Sequence, residues 1–318
     1  MTPDALSPFE RRLVNFFQPV LRLLRYFPFT PLLLLLNVVR RTRQLRRRTA
    51  LVRVAEVTGA APDLPRDAIL WLHHDAPMLR SEQFDVCLKL PSMSEDANLQ
   101  DLFSGLSALT QFRSLGLYWD ASSFADDLPL WGARPGQADT LDSAASRASP
   151  KPPTQKSDAF ITLPVAAARD AQTLLKRQAG AARTVCVNFP AAHGSLAGAA
   201  ANARPEMFFF DLSPAPASTK IGNYRSLFGH GLILHERMAV VRAADAYVGS
   251  FDELGCAALF SSIPAILLHG AAGERRGQLV RDELEWLPES IEPAMLMQQL
   301  LRFLSRWDDE RRRVRGLE

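Results

Sequence analysis

Cysteine is scarce in this 318-residue chain: only Cys87, Cys186 and Cys256 occur, an odd number, widely spaced and without a CxxC pair. That argues against a disulfide framework or a cysteine zinc site and for a reducing compartment, the cytoplasm. No apolar run reaches the roughly 20 residues that a spanning helix needs. The nearest approach, residues 26–39 (YFPFTPLLLLLNVV), is 14 residues long and broken by Pro28 and Pro31. Arginines follow it where a secretory signal would carry a small-residue cleavage site. Also absent are GxGxxG, a Walker phosphate loop, a nucleophile elbow and a kinase signature; His235-Glu236 is not part of an HExxH, so zinc hydrolysis has no support.

What is present is a globular composition with an uneven charge. Hydrophobic residues at 47% and charged residues at 22% exclude global disorder and a multi-span membrane protein. The length allows two compact domains. Residues 1–53 hold eleven arginines against Asp4 and Glu10, a net charge of +9, whereas the whole chain carries only +3, so the remainder is −6. A basic arm for an anionic surface or polymer is therefore joined to a mildly acidic body.

Within that arm Leu13, Phe16, Phe17, Val20, Leu21 and Leu24 follow the spacing of one helix face, with a kink or a new helix start expected at Pro19. An in-plane helix and a hydrophobic wedge lying on an anionic membrane surface fit this pattern. Arg11, Arg12, Arg22, Arg25, Arg40, Arg41, Arg46, Arg47 and Arg48 then reach lipid phosphates, each contributing roughly 1 kcal/mol. Two other readings stay open: the apolar stripe docks on the body or on a partner chain, or the arginines bind nucleic-acid phosphates, although no nucleic-acid-binding motif follows.

The body alternates short β-like runs with helical stretches, the pattern of parallel sheets with crossover helices. Strands are expected at 68–73 (AILWLH), 84–89, 114–119, 159–163, 184–189, 207–212, 246–249 and 265–268. Helices are expected near 98–112, 165–179, 235–243, 253–261 and 295–307. Residues 133–157, rich in Pro, Ser, Ala and Gly, read as a flexible linker or loop. The domain reading is a basic arm over 1–50, an α/β domain over 51–132, the linker over 133–157 and a Rossmann-like domain over 158–318.

Residues 244–268, ADAYVGSFDELGCAALFSSIPAILL, resemble the C-terminal, donor-binding domain of GT-B fold glycosyltransferases, above all the heptosyltransferase-like group. Ala244, Asp245 and Gly249 match the end of the family's strand, Ala257 and Ala258 its small-residue helix, and Pro264 the opening of the next strand. The match is close over about 25 residues and looser over 184–270. The family's turn has Asp-Ser/Thr-Gly with a histidine three residues later; here Phe251, Asp252, Glu253 and Cys256 stand in those places. The Gly-Asp turn that the family places near its N-terminus for acceptor binding and base catalysis is missing too.

The resemblance implies an α/β fold of two Rossmann-like, GT-B-like domains behind an amphipathic helical membrane arm. It also implies a nucleotide-sugar donor and a lipid-linked or cell-envelope glycan acceptor at the cytoplasmic face of the membrane. Gly249 and the helix that follows would admit a diphosphate. On this reading Ser250, Asp252 and Glu253 hold donor hydroxyls, and Ser195 (in His193-Gly194-Ser195) and Arg275 (in HGAAGERRG) hold the diphosphate. His74 and Asp75, placed after the expected strand at 68–73, form the acid/base pair. Each has a plainer alternative, a turn, a glycine-rich connection or a strand-end histidine, and no metal is implied. Two further classes remain: a catalytically degenerate GT-B-like scaffold that binds a membrane-associated partner, and a Rossmann-type enzyme for another nucleotide.

The arm reading is tested by vesicle flotation. A chain beginning at Ala50 is expected to stop floating with anionic vesicles, and retained flotation would show that residues 1–49 are not the anchor.

Overall fold

A computed structural model describes residues 51–58, 64–74, 84–90, 99–109, 112–131, 133, 136, 138–142, 161–214, 216, 221–270 and 283–314. The basic arm therefore lies outside the described residues. Leu51–Glu318 forms one compact unit with two parallel sheets.

The first sheet is built from β1 (Leu51–Thr58), β2 (Phe84–Lys89), β3 (Phe112–Tyr118) and β4 (Asp139–Asp142), in the order β3-β2-β1-β4. Helices α1 (Leu64–His74), α2 (Leu99–Ser107) and α3 (Ala121–Trp131) alternate with these strands. β2 is buried along almost its whole length, as expected of an interior parallel strand with both faces covered.

The second sheet holds β5 (Arg183–Asn188), β6 (Met207–Asp211), β7 (Tyr224–Ser226), β8 (Ala246–Ser250), β9 (Ala265–His269) and β10 (Leu284–Pro288). Its helices are α4 (Val165–Ala179), α5 (Leu196–Ala203), α6 (Leu234–Ala243), α7 (Glu253–Leu259) and α8 (Pro293–Val314). The strand order β10-β9-β8-β5-β6-β7 is all parallel and reverses direction between β5 and β8. That is the doubly wound dinucleotide-binding order, and the reversal is its topological switch point.

Two cores cover the second sheet. On one face Val185, Val187 and Phe209 pack against Leu196 and Ala200 of α5 and Leu300, Phe303 and Leu304 of α8. The other face belongs to a core that runs into the first sheet: Ile69, Leu72, Leu102 and Leu106 are clustered with Leu234, Met238, Leu254 and Ala257. The two halves thus share one apolar interior, sealed where Gly105 of α2 lets Leu234 of α6 come close.

Several sequence expectations are corrected here. Residues 68–73 are helical, not a strand: Leu64, Ala68, Ile69 and Leu72 are buried at helical spacing, and Pro65 stands in the first turn, where its missing N–H costs nothing. The sheet's first strand is β1, and Arg53, counted with the arm, lies in it and pairs with Asp139. The stretch 133–157 is not wholly linker. It contributes β4, where Leu141 is the buried apolar side chain and the neighbouring Asp and Thr hide the strand pattern. Of 159–163, Ile161 makes only an isolated antiparallel bridge to Leu109. α3, α5, β7 and β10 went unread, β7 being three residues long. The expected elements at 84–89, 165–179, 184–189, 207–212, 246–249, 253–261 and 265–268 match observed ones to within two residues. Among the described residues no helix is long and apolar enough to cross a membrane.

Gly249 holds β8 against β5. A Cβ there would stand 2.4 Å from the Asn188 carbonyl oxygen and 2.8 Å from the Tyr247 hydroxyl. Gly249→Ala is expected to cost about 1–3 kcal/mol through forced separation of the strands, read as a lower urea midpoint. An unchanged midpoint would show that β5 and β8 separate freely.

Candidate functional site

At the switch point β5 ends in Asn188 and β8 in Ser250, with Asn188 in register with Gly249. The Asn188 side-chain amide donates to Asp252 Oδ2 across this crevice at 2.6 Å. The other oxygen of Asp252 accepts the backbone N–H groups of Leu254 (2.9 Å) and Gly255 (3.0 Å), so Asp252 is the N-cap of α7. Beneath them Tyr247 is fully buried and its hydroxyl donates to the Ser250 carbonyl. Gly249 therefore makes room for β5 itself, and the first free N–H groups of α7 already hold a carboxylate. The expectation that they lie open to a diphosphate is corrected on that ground.

Burial pushes the Asp252 carboxyl above its ordinary range, although hydrogen bonds from Gly255, Asn188 and Leu254 pull the other way. Glu253, beside it, is pushed up to about 7, first by burial and then by the charge of Asp252. Arg237 opposes that shift and Asp101 adds to it. A carboxyl that exchanges a proton near neutrality suits general acid–base work.

The opposite wall comes from the first half. Arg66 of α1 donates to the Phe251 carbonyl at 3.1 Å, pairs with Asp67 and lies over the Phe251 ring. Phe251 in turn meets Trp286 edge-on at a centroid distance of 4.9 Å. Asp101 of α2 pairs with Arg237 of α6 at 3.0 Å, and Ser104 Oγ lies 3.0 Å from His235 Nδ1. The arrangement is a pair of carboxyls at strand and helix ends, with the Arg237 guanidinium acting on Glu253 and Arg66 anchored to the neighbouring Phe251, each guanidinium paired with a carboxylate of its own.

No family model matches the chain, and no curated protein does. Among solved structures it is similar to the ADP-heptose lipopolysaccharide heptosyltransferase II of Escherichia coli. The identity is 12%, the TM-score is 0.51, and the match covers 80% of this chain and 99% of that one. The fold is heptosyltransferase-like. A family 9 glycosyl transferase from Veillonella parvula (8% identity, TM-score 0.46, 76% and 86% covered) matches less closely. So does an E. coli heptosyltransferase with ADP (12%, 0.41, 79% and 99%).

On this heptosyltransferase-like fold, Ser250, Asp252 and Glu253 come together at the switch point with Asn188, which the sequence reading did not single out. Ser195 is exposed at the start of α5, in the loop after β5, and makes no side-chain cap bond. Its neighbour His193 is buried, with Nε2 at 3.0 Å from the Ile291 carbonyl. His74 is the last residue of α1, so the strand-end position that motivated pairing it with Asp75 does not exist. Asp75 and Arg275 lie outside the described residues. Glu236 accepts the Ile233 N–H at the start of α6, a capping role. Cys256, at the place of the family's histidine, is fully buried, and burial holds its thiol well above the ordinary value. Among the described residues no three His, Cys, Asp or Glu side chains group as a metal site.

Arg66, Asp101, Arg237 and Asn188 had no sequence signal, because each meets its partner only through folding, 64 to 185 residues away. Glu253 gives a pH test. Between its ordinary value of 4.5 and about 7 the unfolded chain releases this proton while the folded chain keeps it. Its contribution to stability therefore falls as pH rises through that window and is lowest above it. Glu253→Gln is expected to gain stability relative to the parent between pH 5 and 8 in urea unfolding. Parallel pH profiles would exclude this carboxyl as the source.

Proposed function

We propose that the protein is a membrane-peripheral glycosyltransferase that moves a sugar from a nucleotide-sugar donor to a lipid-linked or cell-envelope glycan at the cytoplasmic face. The observation that carries the reading is the pair Asp252 and Glu253 at the switch point of a heptosyltransferase-like fold, with Arg237 acting on Glu253. The E. coli heptosyltransferase II that shares this fold is named for ADP-heptose, which favours a nucleotide-linked donor here.

In this reading the donor sits outside the carboxyl ends of β5 and β8. The acceptor hydroxyl attacks the anomeric carbon, the bond to the diphosphate oxygen breaks, and the nucleoside diphosphate leaves. Glu253 takes the hydroxyl proton, the role first given to His74 and Asp75. Ser250 lies beside the donor hydroxyls, Ser195 and Arg275 by the diphosphate. The anionic surface is met by the basic arm.

One observation favours a second reading, a scaffold without catalysis that binds a membrane-associated partner. Asp252 already fills the helix end that a diphosphate would use. Isothermal titration of the full chain against UDP-, GDP-, ADP- and CMP-sugars separates the two. Binding of one nucleotide class, with transfer lost in Glu253→Gln while binding stays, is the transferase outcome. No binding to any of the four sinks it and leaves the scaffold.

A further inference from the structure

The chain enters the second half through a short strap, Ile161 to Leu163, at the end of the sheet opposite the candidate site. Ile161 bridges to Leu109 and the Thr162 N–H donates to the Ala108 carbonyl at 2.7 Å, both on the first half. From the second half, Arg242 of α6 donates through Nη1 to the Ile161 carbonyl. Between this strap, α4 and the end of α6 lies a cavity of about 340 Å³. Its walls are Ile161, Leu163, Ala168 and Ala239, and its polar groups include Gln172 and Arg242.

Three features point to a ligand. The volume falls in the range of small-molecule sites, roughly 300–1,000 Å³, and the lining of this open groove divides about evenly between aliphatic and polar surface. Arg242 is partly buried, yet among the described residues no carboxylate pairs with it. A guanidinium has five N–H donors arranged to hold a planar anion, and its recorded bond, to Ile161, uses one. Its other N–H donors stay in reach of solvent and of a bound carboxylate, which a guanidinium holds through charge-assisted, bidentate hydrogen bonds.

We propose that this cavity binds a small monocarboxylate with a short aliphatic body, its carboxylate on Arg242 and Gln172 and its chain against Ile161, Leu163, Ala168 and Ala239. Such a ligand rests on the strap that joins the two halves, so its binding stabilises that junction. The site is separate from the switch point and stands whether or not sugar transfer does.

Hexanoate is the probe, with hexanol and hexylamine as matched controls, in calorimetry and thermal unfolding of the full chain. Hexanoate is expected to bind and raise Tm, with both controls at least about tenfold weaker. Arg242→Gln removes the cation, and Ala168→Trp fills the cavity from a partly exposed helix position while leaving Arg242 in place. Each variant is expected to weaken hexanoate by about tenfold or more. Equal binding of hexanol, undiminished hexanoate binding to Ala168→Trp in a chain with parental circular dichroism, or no hexanoate binding at all would each overturn the proposal.

Discussion

One contact organises the centre of this molecule: the Asn188 amide donating to Asp252 at the carboxyl ends of β5 and β8. There the strand order reverses, and beyond the carboxyl ends of the laddered β5 and β8 the connections diverge and leave a crevice. The bond spans it. It also fixes the carboxylate that caps α7, and the capped helix then presents Glu253 beside Asp252 and within the fields of Arg237 and Asp101. Gly249 belongs to the same device, because any side chain there would meet the Asn188 carbonyl.

The shared interior of the two halves has the same economy. Leu102 and Leu106 from one half and Leu234 and Met238 from the other sit in one cluster, with a few polar contacts beside it. Arg66 at Phe251, Asp101 at Arg237 and the buried Ser104 at His235 are such contacts. Burial of apolar surface supplies the attraction, and the ion pairs and hydrogen bonds fix which side chains meet. The result joins a heptosyltransferase-like fold to an acidic centre whose cations are already engaged.

The sequence made the second half legible where its signals were local. The small-residue helix and strand ends over 244–268 led to β8, α7 and β9, and with them to Ser250, Asp252 and Glu253. The strand reading of 68–73 failed because five apolar residues in a row fit either period, and only Leu64 and Pro65 upstream decide for a helix. β4 was hidden by composition: one buried leucine among acids and a threonine carries no alternation. Asn188 and the wall of Arg66, Asp101 and Arg237 were beyond reach for another reason. Their partners are set by topology, and spacing along the chain carries no record of it.

β1 begins at Leu51, directly after the arm, and lies between β2 and β4. Its backbone is laddered to β2 from Leu51 to Glu56 and to β4 from Ala55 to Thr58, and Arg53 is tied to Asp139. The first four residues of β1 are therefore held by β2 alone, and β4 joins only from Ala55 onward, so the strand that receives the chain at Leu51 is gripped first from one side and then from both.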